Sequence, residues 1–249
     1  MLRKLLIISI ALLSLISFAA AQEILLDGNA LLEEIDRKMM PEGSESYKKI
    51  INIEPNGAQK EFILYVVKQG NDKMVSTFLS PKSEIGRSTL RLGENMWLYI
   101  PNVGKPVRIT SLQSVIGGVF NNSDIMQIDY HAEYDVIAME QEGDQTVLTL
   151  KAKTGSVAYD RLRMRLDPEY KLPDRVECYS ASDMLIKTLY FKEMKDFGDG
   201  MIRPAVTETD SPLYKGYKSV MIFADIKQRE VPDEVFTINN MHKIQDLRQ

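Results

Sequence analysis

The chain has 249 residues, 44% of them hydrophobic, with 31 Lys and Arg against 35 Asp and Glu and a net charge of −4. That length and apolar content suit one domain with a sizeable core, while the acidic balance argues against nucleic acid and against nonspecific adhesion to anionic lipid headgroups. A single cysteine, Cys178, excludes an internal disulfide.

Residues 1–21 begin with Arg3 and Lys4, continue as an apolar run from Leu5 to Phe18, and end in Ala19-Ala20-Ala21. This layout predicts a secretory signal peptide cleaved after Ala21, leaving residues 22–249 as a single exported domain. The apolar run is about 14 residues, short of the roughly 20 that a membrane-spanning helix needs. Gln22 follows the cut, so the mature protein is not expected to carry a lipid anchor of its own.

From Asp27 to Met40 the pattern predicts a helix. Leu31, Leu32, Ile35 and Met39 form one apolar stripe, and Glu33, Glu34, Asp36 and Arg37 occupy the rest of the surface. Asp27 or Asn29 caps its start and Pro41 prevents continuation.

Nearly everything after Pro41 reads as strands. Tyr47–Glu54 and Gln59–Lys68 flank the hairpin signal Pro55-Asn56-Gly57. Lys73–Leu79, Ser88–Leu92 and Met96–Ile100 follow. Asp135–Gln141, Gln145–Lys153, Tyr159–Asp167, Asp174–Ser180, Met184–Met194, Met201–Thr209 and Gly216–Lys227 come later. Short loops join most of them, which predicts one antiparallel sheet of roughly eleven strands. Tyr159–Leu166 alternates strictly between apolar and arginine-bearing positions, as in a strand with one dry face. Phe62–Val67 and Met96–Ile100 are apolar on both faces and need cover on both. A strongly curved sheet wrapped about helices satisfies that requirement better than a sandwich does. An outer-membrane barrel would need a charge-free lipid-facing belt, and nearly every strand here carries a charge.

Between the strands lies Ser111–Phe120, where Leu112, Val115, Ile116, Val119 and Phe120 recur at helical spacing. Gly117 and Gly118 would each weaken such a helix by about 1 kcal/mol. The segment therefore reads either as a lid that folds only when docked, or as an ordinary core helix with close-packed glycines.

Catalytic and metal chemistry is thinly supplied. His131 and His242 are far apart, and His131 with Asp124, Asp129 and Glu133 reads as a solvated acidic loop rather than a metal site. There is no Gly-x-Ser-x-Gly elbow and no phosphate loop. Cys178 alternates with Val176 and reads as a buried structural thiol. No enzyme activity, metal or cofactor is expected.

What remains is apolar recognition, and here a family resemblance enters. Trp97-x-Tyr99-x-Pro101 on a strand, Arg108-Ile109, Ser123-Asp124, Asp129-Tyr130 and the closing Val231-Pro232-Asp233-Glu234-Val235-Phe236 resemble the LolA-like family of periplasmic outer-membrane lipoprotein-sorting proteins. The resemblance implies a mainly β (α+β) fold, an unclosed antiparallel barrel with helices plugging its open side. It also implies a carrier that moves lipid or lipoprotein acyl chains toward the outer membrane. Carried onto this chain, the cavity wall and lid are Phe62, Leu64, Trp97, Leu98, Tyr99, Leu112, Val115, Ile116, Val119 and Phe120. The family's latch, an arginine directly before a proline, is missing, because Pro81 follows Ser80. In that respect the chain resembles a divergent branch associated with lipid-exporting transporters of the resistance-nodulation-division (RND) type. The implied partners are an inner-membrane RND-type transporter and an outer-membrane acceptor. Two other roles compete. One is an envelope-stress sensor or transporter accessory subunit, although few residues follow Phe236 to form a partner-gripping second domain. The other is a lipid-modifying enzyme using Asp124, Asp129 or His131.

Overall fold

The computed structural model describes residues 27–114 and 116–248. The signal-peptide reading of residues 1–21 and the cleavage after Ala21 lie outside the described residues. Helix α1 is described over 27–39. Thirteen strands follow it: β1 (Gly43–Ile53), β2 (Gln59–Gln69), β3 (Lys73–Ser80), β4 (Ser88–Leu92), β5 (Asn95–Tyr99), β6 (Val107–Ile109), β7 (Tyr134–Glu142), β8 (Gln145–Ala152), β9 (Arg161–Leu166), β10 (Pro173–Tyr179), β11 (Leu185–Asp196), β12 (Ile202–Asp210) and β13 (Lys218–Gln228). Two single-turn helices, α2 (Asn122–Ile125) and α3 (Tyr130–Glu133), lie between β6 and β7. No helix of the described residues is long and apolar enough to cross a membrane.

All thirteen strands belong to one antiparallel sheet, ordered β6-β5-β4-β3-β2-β1-β13-β12-β11-β10-β9-β8-β7. Every neighbour is adjacent in sequence except at the centre, where β1 pairs with β13. The two edges, β6 and β7, are consecutive in the chain and unpaired with each other. The sheet therefore stays open, and residues 110–133 connect one edge to the other. The expected count of roughly eleven strands fell short partly because β6 has only three residues, too few to show alternation.

Period-2 alternation sorts the strands into two faces. The first face carries Ile50, Phe62, Leu64, Met74, Met96, Leu148, Leu150, Leu162, Met164 and Val176, which form one large cluster. Leu32 and Ile35 of α1 are fully buried in it, and so are Phe120, Ile125 and Met126 of the connecting segment. This is the wrapped interior. Cys178 is buried there as a free thiol, and burial pushes its pKa well up.

The second face has a smaller cluster, where Tyr65, Val67, Val75 and Leu90 are covered by Val231, Phe236, Met241 and Ile244. The last two belong to a 3-10 helix over Ile238–Leu247. Strands β2 and β5, read as apolar on both faces, are thus covered twice: by α1 and the connecting segment inside, and by the chain's last turns outside.

Candidate functional site

The connecting segment departs from the sequence expectation. Ser111–Phe120 is a run of turns and bends rather than a helix, with Val115 outside the described residues. Gly117 and Gly118 have φ of +69° and +76°, left-handed values that a right-handed helix cannot contain. At Gly118 a side chain has no room, since a Cβ would stand 2.2 Å from Asn52 Oδ1. The backbone comes that close because Asn52 Nδ2 donates to the carbonyls of Ile116 and Gly117, both at 3.1 Å. Beside it the Val119 N–H donates to Ser219 Oγ at 2.9 Å. Polar fastening to β1 and β13 replaces the i to i+4 ladder that the apolar spacing suggested.

Beyond Phe120 the chain forms α2, started by a capping box in which Asn121 and Asp124 satisfy each other's backbone N–H groups. Three buried cations from three strands hold this turn. Lys48 Nζ (β1) donates to the Ile125 carbonyl at 2.9 Å. Arg91 Nη1 (β4) donates to the Met126 carbonyl at 2.9 Å, and Arg91 also pairs with buried Glu133. Lys187 Nζ (β11) donates to the Val119 carbonyl and pairs with Asp124 Oδ2 at 2.7 Å. The fastening that the resemblance assigned to an arginine before a proline is supplied here from other strands.

Asp124, Asp129 and His131 do not form the solvated acidic loop that the sequence suggested. Asp124 is buried, paired with Lys187, and accepts the Tyr159 hydroxyl at 2.8 Å. Asp129 pairs with buried Lys68 at 2.9 Å, and His131 Nε2 lies 3.2 Å from Glu33 Oε1. Asp36, read as a surface position of α1, is also buried. Its carboxylate accepts the N–H groups of Tyr130 and His131 at 2.8 Å each, capping α3. Burial pushes the Asp36 pKa up to about 7, against the opposing pull of those two hydrogen bonds. Among the described residues no group of three or more His, Cys, Asp or Glu is arranged to hold a metal ion.

A cavity opens between the end of α1, the α2–α3 turn and the inner face of β1, β11, β12 and β13. Its enclosed volume is about 60 Å³, room for a few waters, so a long alkyl tail needs the wall to open. Met39, Met40, Phe120, Ile128, Leu189, Phe191, Met221 and Phe223 supply apolar wall, and Lys48 and Arg203 supply charge. Both cations are buried. Desolvation, reinforced by the charge of Arg203, lowers the Lys48 pKa to about 7. Desolvation likewise lowers Arg203 to about 9. A wider recess bordered by Arg37, Lys38, Glu42, Glu169 and Phe197 is more open and more polar.

Of the ten residues proposed from sequence, Phe120 lines this cavity. Phe62 and Leu64 on β2 and Leu98 on β5 are buried but do not line it, and Ile116 and Val119 are buried in the connecting segment. Leu112 is exposed rather than part of an apolar stripe. Trp97 and Tyr99 point to the other face of the sheet, against the C-terminal cluster, because they alternate with inward Met96. Tyr99 meets His242 there, with ring centroids 6.3 Å apart. The sequence reading missed Lys48, Arg203, Phe191, Met221 and Phe223. A signal existed for Lys48, which alternates with Ile50 and Asn52 and so shares the inner face.

One curled, unclosed antiparallel sheet wrapped on a helix and a helical turn, with an apolar cavity between them, defines a LolA-like fold. The solved structure of a LolA superfamily protein from Nitrosomonas europaea matches with a TM-score of 0.75 at 26% identity, over 84% of this chain and 96% of that one. A DUF1329 family protein from Desulfovibrio piger matches with a TM-score of 0.74 at 20% identity, over 88% and 99% of the two chains. A domain from Vibrio parahaemolyticus named for outer membrane lipoprotein sorting matches with a TM-score of 0.71 at 19% identity, over 87% and 98%. No curated protein matches the sequence. A family model described as an uncharacterized protein matches residues 70–243, and the chain belongs to that family, within the LolA-like fold.

Proposed function

We propose that the protein is a noncatalytic periplasmic carrier that takes up the acyl chain of a lipid or lipoprotein and moves it toward the outer membrane. The observation that carries this reading is the cavity walled by Met39, Met40, Phe120, Phe191, Met221 and Phe223. Unbranched methionines adapt to a flexible chain, and each methylene moved from water contributes about 0.8 kcal/mol. An alkyl tail thus provides affinity without catalytic machinery. The LolA-superfamily fold supports the same role. The exported form is residues 22–249 after cleavage following Ala21, acting as one lipid-binding domain. An inner-membrane RND-type transporter as donor and an outer-membrane acceptor complete the route.

Protein purified from the periplasm without detergent should yield bound lipid in its organic extract by mass spectrometry. Repeated extracts with no stoichiometric lipid would overturn the carrier reading.

A further inference from the structure

We propose that the cavity selects amphiphiles whose head is an oxyanion, a carboxylate or a phosphate monoester, held by Lys48 and Arg203. This deepens the carrier reading and rests on it. Both cations are buried in the cavity wall. Among the described residues neither has a carboxylate within ion-pair distance. Lys48 Nζ donates to the Ile125 carbonyl. Arg203 donates to the Met39 carbonyl and, at 3.3 Å, to the Pro204 carbonyl. Carbonyl oxygens accept hydrogen bonds but carry no compensating charge.

The carboxylates of the same cavity are engaged elsewhere: Asp124 by Lys187, Asp129 by Lys68, and Asp36 by two backbone N–H groups. Backbone N–H groups do not neutralise Asp36, so one acid stands against the two cations of this wall, and the space keeps a net positive charge. The pKa of each cation is depressed mainly by burial, as expected of cations held without a counterion. An oxyanion entering the cavity would supply that counterion and accept the remaining donors. Thr207 and Gln127, also in the wall, add neutral polar groups. The alkyl tail would lie against Met39, Leu189, Phe191 and Met221, so head and tail are recognised in one space.

The test uses the full mature chain, stripped of lipid, and three ligands sharing one alkyl chain: palmitate, hexadecyl phosphate and hexadecanol. Each displaces the neutral fluorescent probe N-phenyl-1-naphthylamine, with inorganic phosphate as a fourth competitor. Two charge-assisted contacts should favour an anionic ligand over hexadecanol by at least about tenfold. Lys48→Met and Arg203→Met should each erase most of that preference, read within each variant as the ratio of anionic-ligand affinity to hexadecanol affinity. Whichever of palmitate and hexadecyl phosphate binds more tightly identifies the head. Equal affinity of all three for the wild type would overturn the head-group inference and leave the carrier reading standing. No binding of any alkyl ligand would overturn both. Inorganic phosphate competing as well as hexadecyl phosphate would show a free-anion site and overturn the joint recognition of head and tail. Should Arg203→Met fail to fold, Arg203→Lys keeps the charge but loses the planar fork. It should then retain part of the preference; full retention of the preference in Lys48→Met would overturn the assignment to these residues.

Discussion

Lys48 and Arg203 lie against one aromatic ring: Lys48 Nζ is 5.0 Å and Arg203 Cζ 4.1 Å from the centroid of Phe223. Lys48 and Phe223 are direct cross-strand partners, beside an irregularity in the β1–β13 register. A desolvated cation over a ring gains about 2 kcal/mol, whereas removing an ion from water costs several kcal/mol even after relaxation. The ring softens the burial of two like charges without offsetting it.

A pH dependence follows from this imbalance. Lys48 titrates near 7 when folded, against 10.5 for an unperturbed lysine. Below pH 7 both folded and unfolded states carry the proton, and the full cost of burying the charge is present. Between pH 7 and 10.5 the unfolded chain binds more protons, so stability rises with pH. Arg203 is the charged neighbour that acts on Lys48, and Asp36, Asp124, Asp129 and Tyr130 share the cavity wall with it. Asp36, with its pKa near 7, adds stability at low pH that is lost as pH rises from 3.8 through 7. Above pH 7 Asp36 is completing its titration, and Arg203, lowered to about 9, adds a rise of the same sign, so the difference between wild type and Lys48→Met isolates Lys48. Urea midpoints of the wild type should rise from pH 7 to 9, and those of Lys48→Met should rise less. Parallel profiles for the two proteins would refute the assignment.

Gly117 and Gly118 separate backbone strain from steric exclusion. Both have left-handed φ, which costs a residue with a Cβ roughly 1–2 kcal/mol. A Cβ on Gly117 meets open space, whereas one on Gly118 collides with Asn52 and Ser219. Gly117→Ala should therefore lower stability by about that backbone cost. Gly118→Ala should lower it by clearly more, because the Asn52 bonds to the Ile116 and Gly117 carbonyls must also shift. Equal losses in denaturant melts would contradict this account of the segment.

The sheet was legible in the sequence because alternation is a local signal. Arg161–Leu166 keeps a dry and a wetter face, although Tyr159, read with the arginines, is buried in the inner cluster; Leu64–Val67 is buried on both faces, whereas Ile63 is exposed. What was illegible depended on partners distant in sequence. The spacing of Leu112, Val115, Ile116, Val119 and Phe120 matches a helix, but Asn52 and Ser219 hold the chain in turns instead. Asp36 reads as a wet residue of α1 until α3 is placed against it. Trp97 and Tyr99 are aromatic on an apolar strand, and nothing local says which face holds the cavity. That choice was decided by which side α1 occupies.

The Arg91–Glu133 pair offers a test of how the connecting segment is fastened. Both groups are buried, and Arg91 also satisfies the carbonyls of Met126 and Gly93. Burial raises the Glu133 pKa, and the Arg91 charge opposes that rise. Arg91→Met strands a carboxylate and two carbonyls and should cost about 3–5 kcal/mol. Adding Glu133→Met removes the stranded charge and should restore a large part of the loss. A double-mutant cycle by chemical denaturation reads both effects, and additive losses would show that the two groups do not act as a pair.

The outer face gives the last prediction, and Trp97 reports on it as the chain's single tryptophan. Met241 and Ile244 are buried over Tyr65, Val75 and Leu90, and Trp97 packs against the same cluster. Met241→Ala and Ile244→Ala should each cost about 2–5 kcal/mol. Both should shift Trp97 emission to longer wavelength in the native state, as water reaches the ring. Gly118→Ala, acting on the inner face, should destabilise without that native-state shift. For the same geometric reason, filling the inner cavity with an alkyl ligand should leave Trp97 emission nearly unchanged. A large ligand-induced change at Trp97 would mean that the tryptophan-bearing face takes part in binding, and would move the site to the opposite side of the sheet.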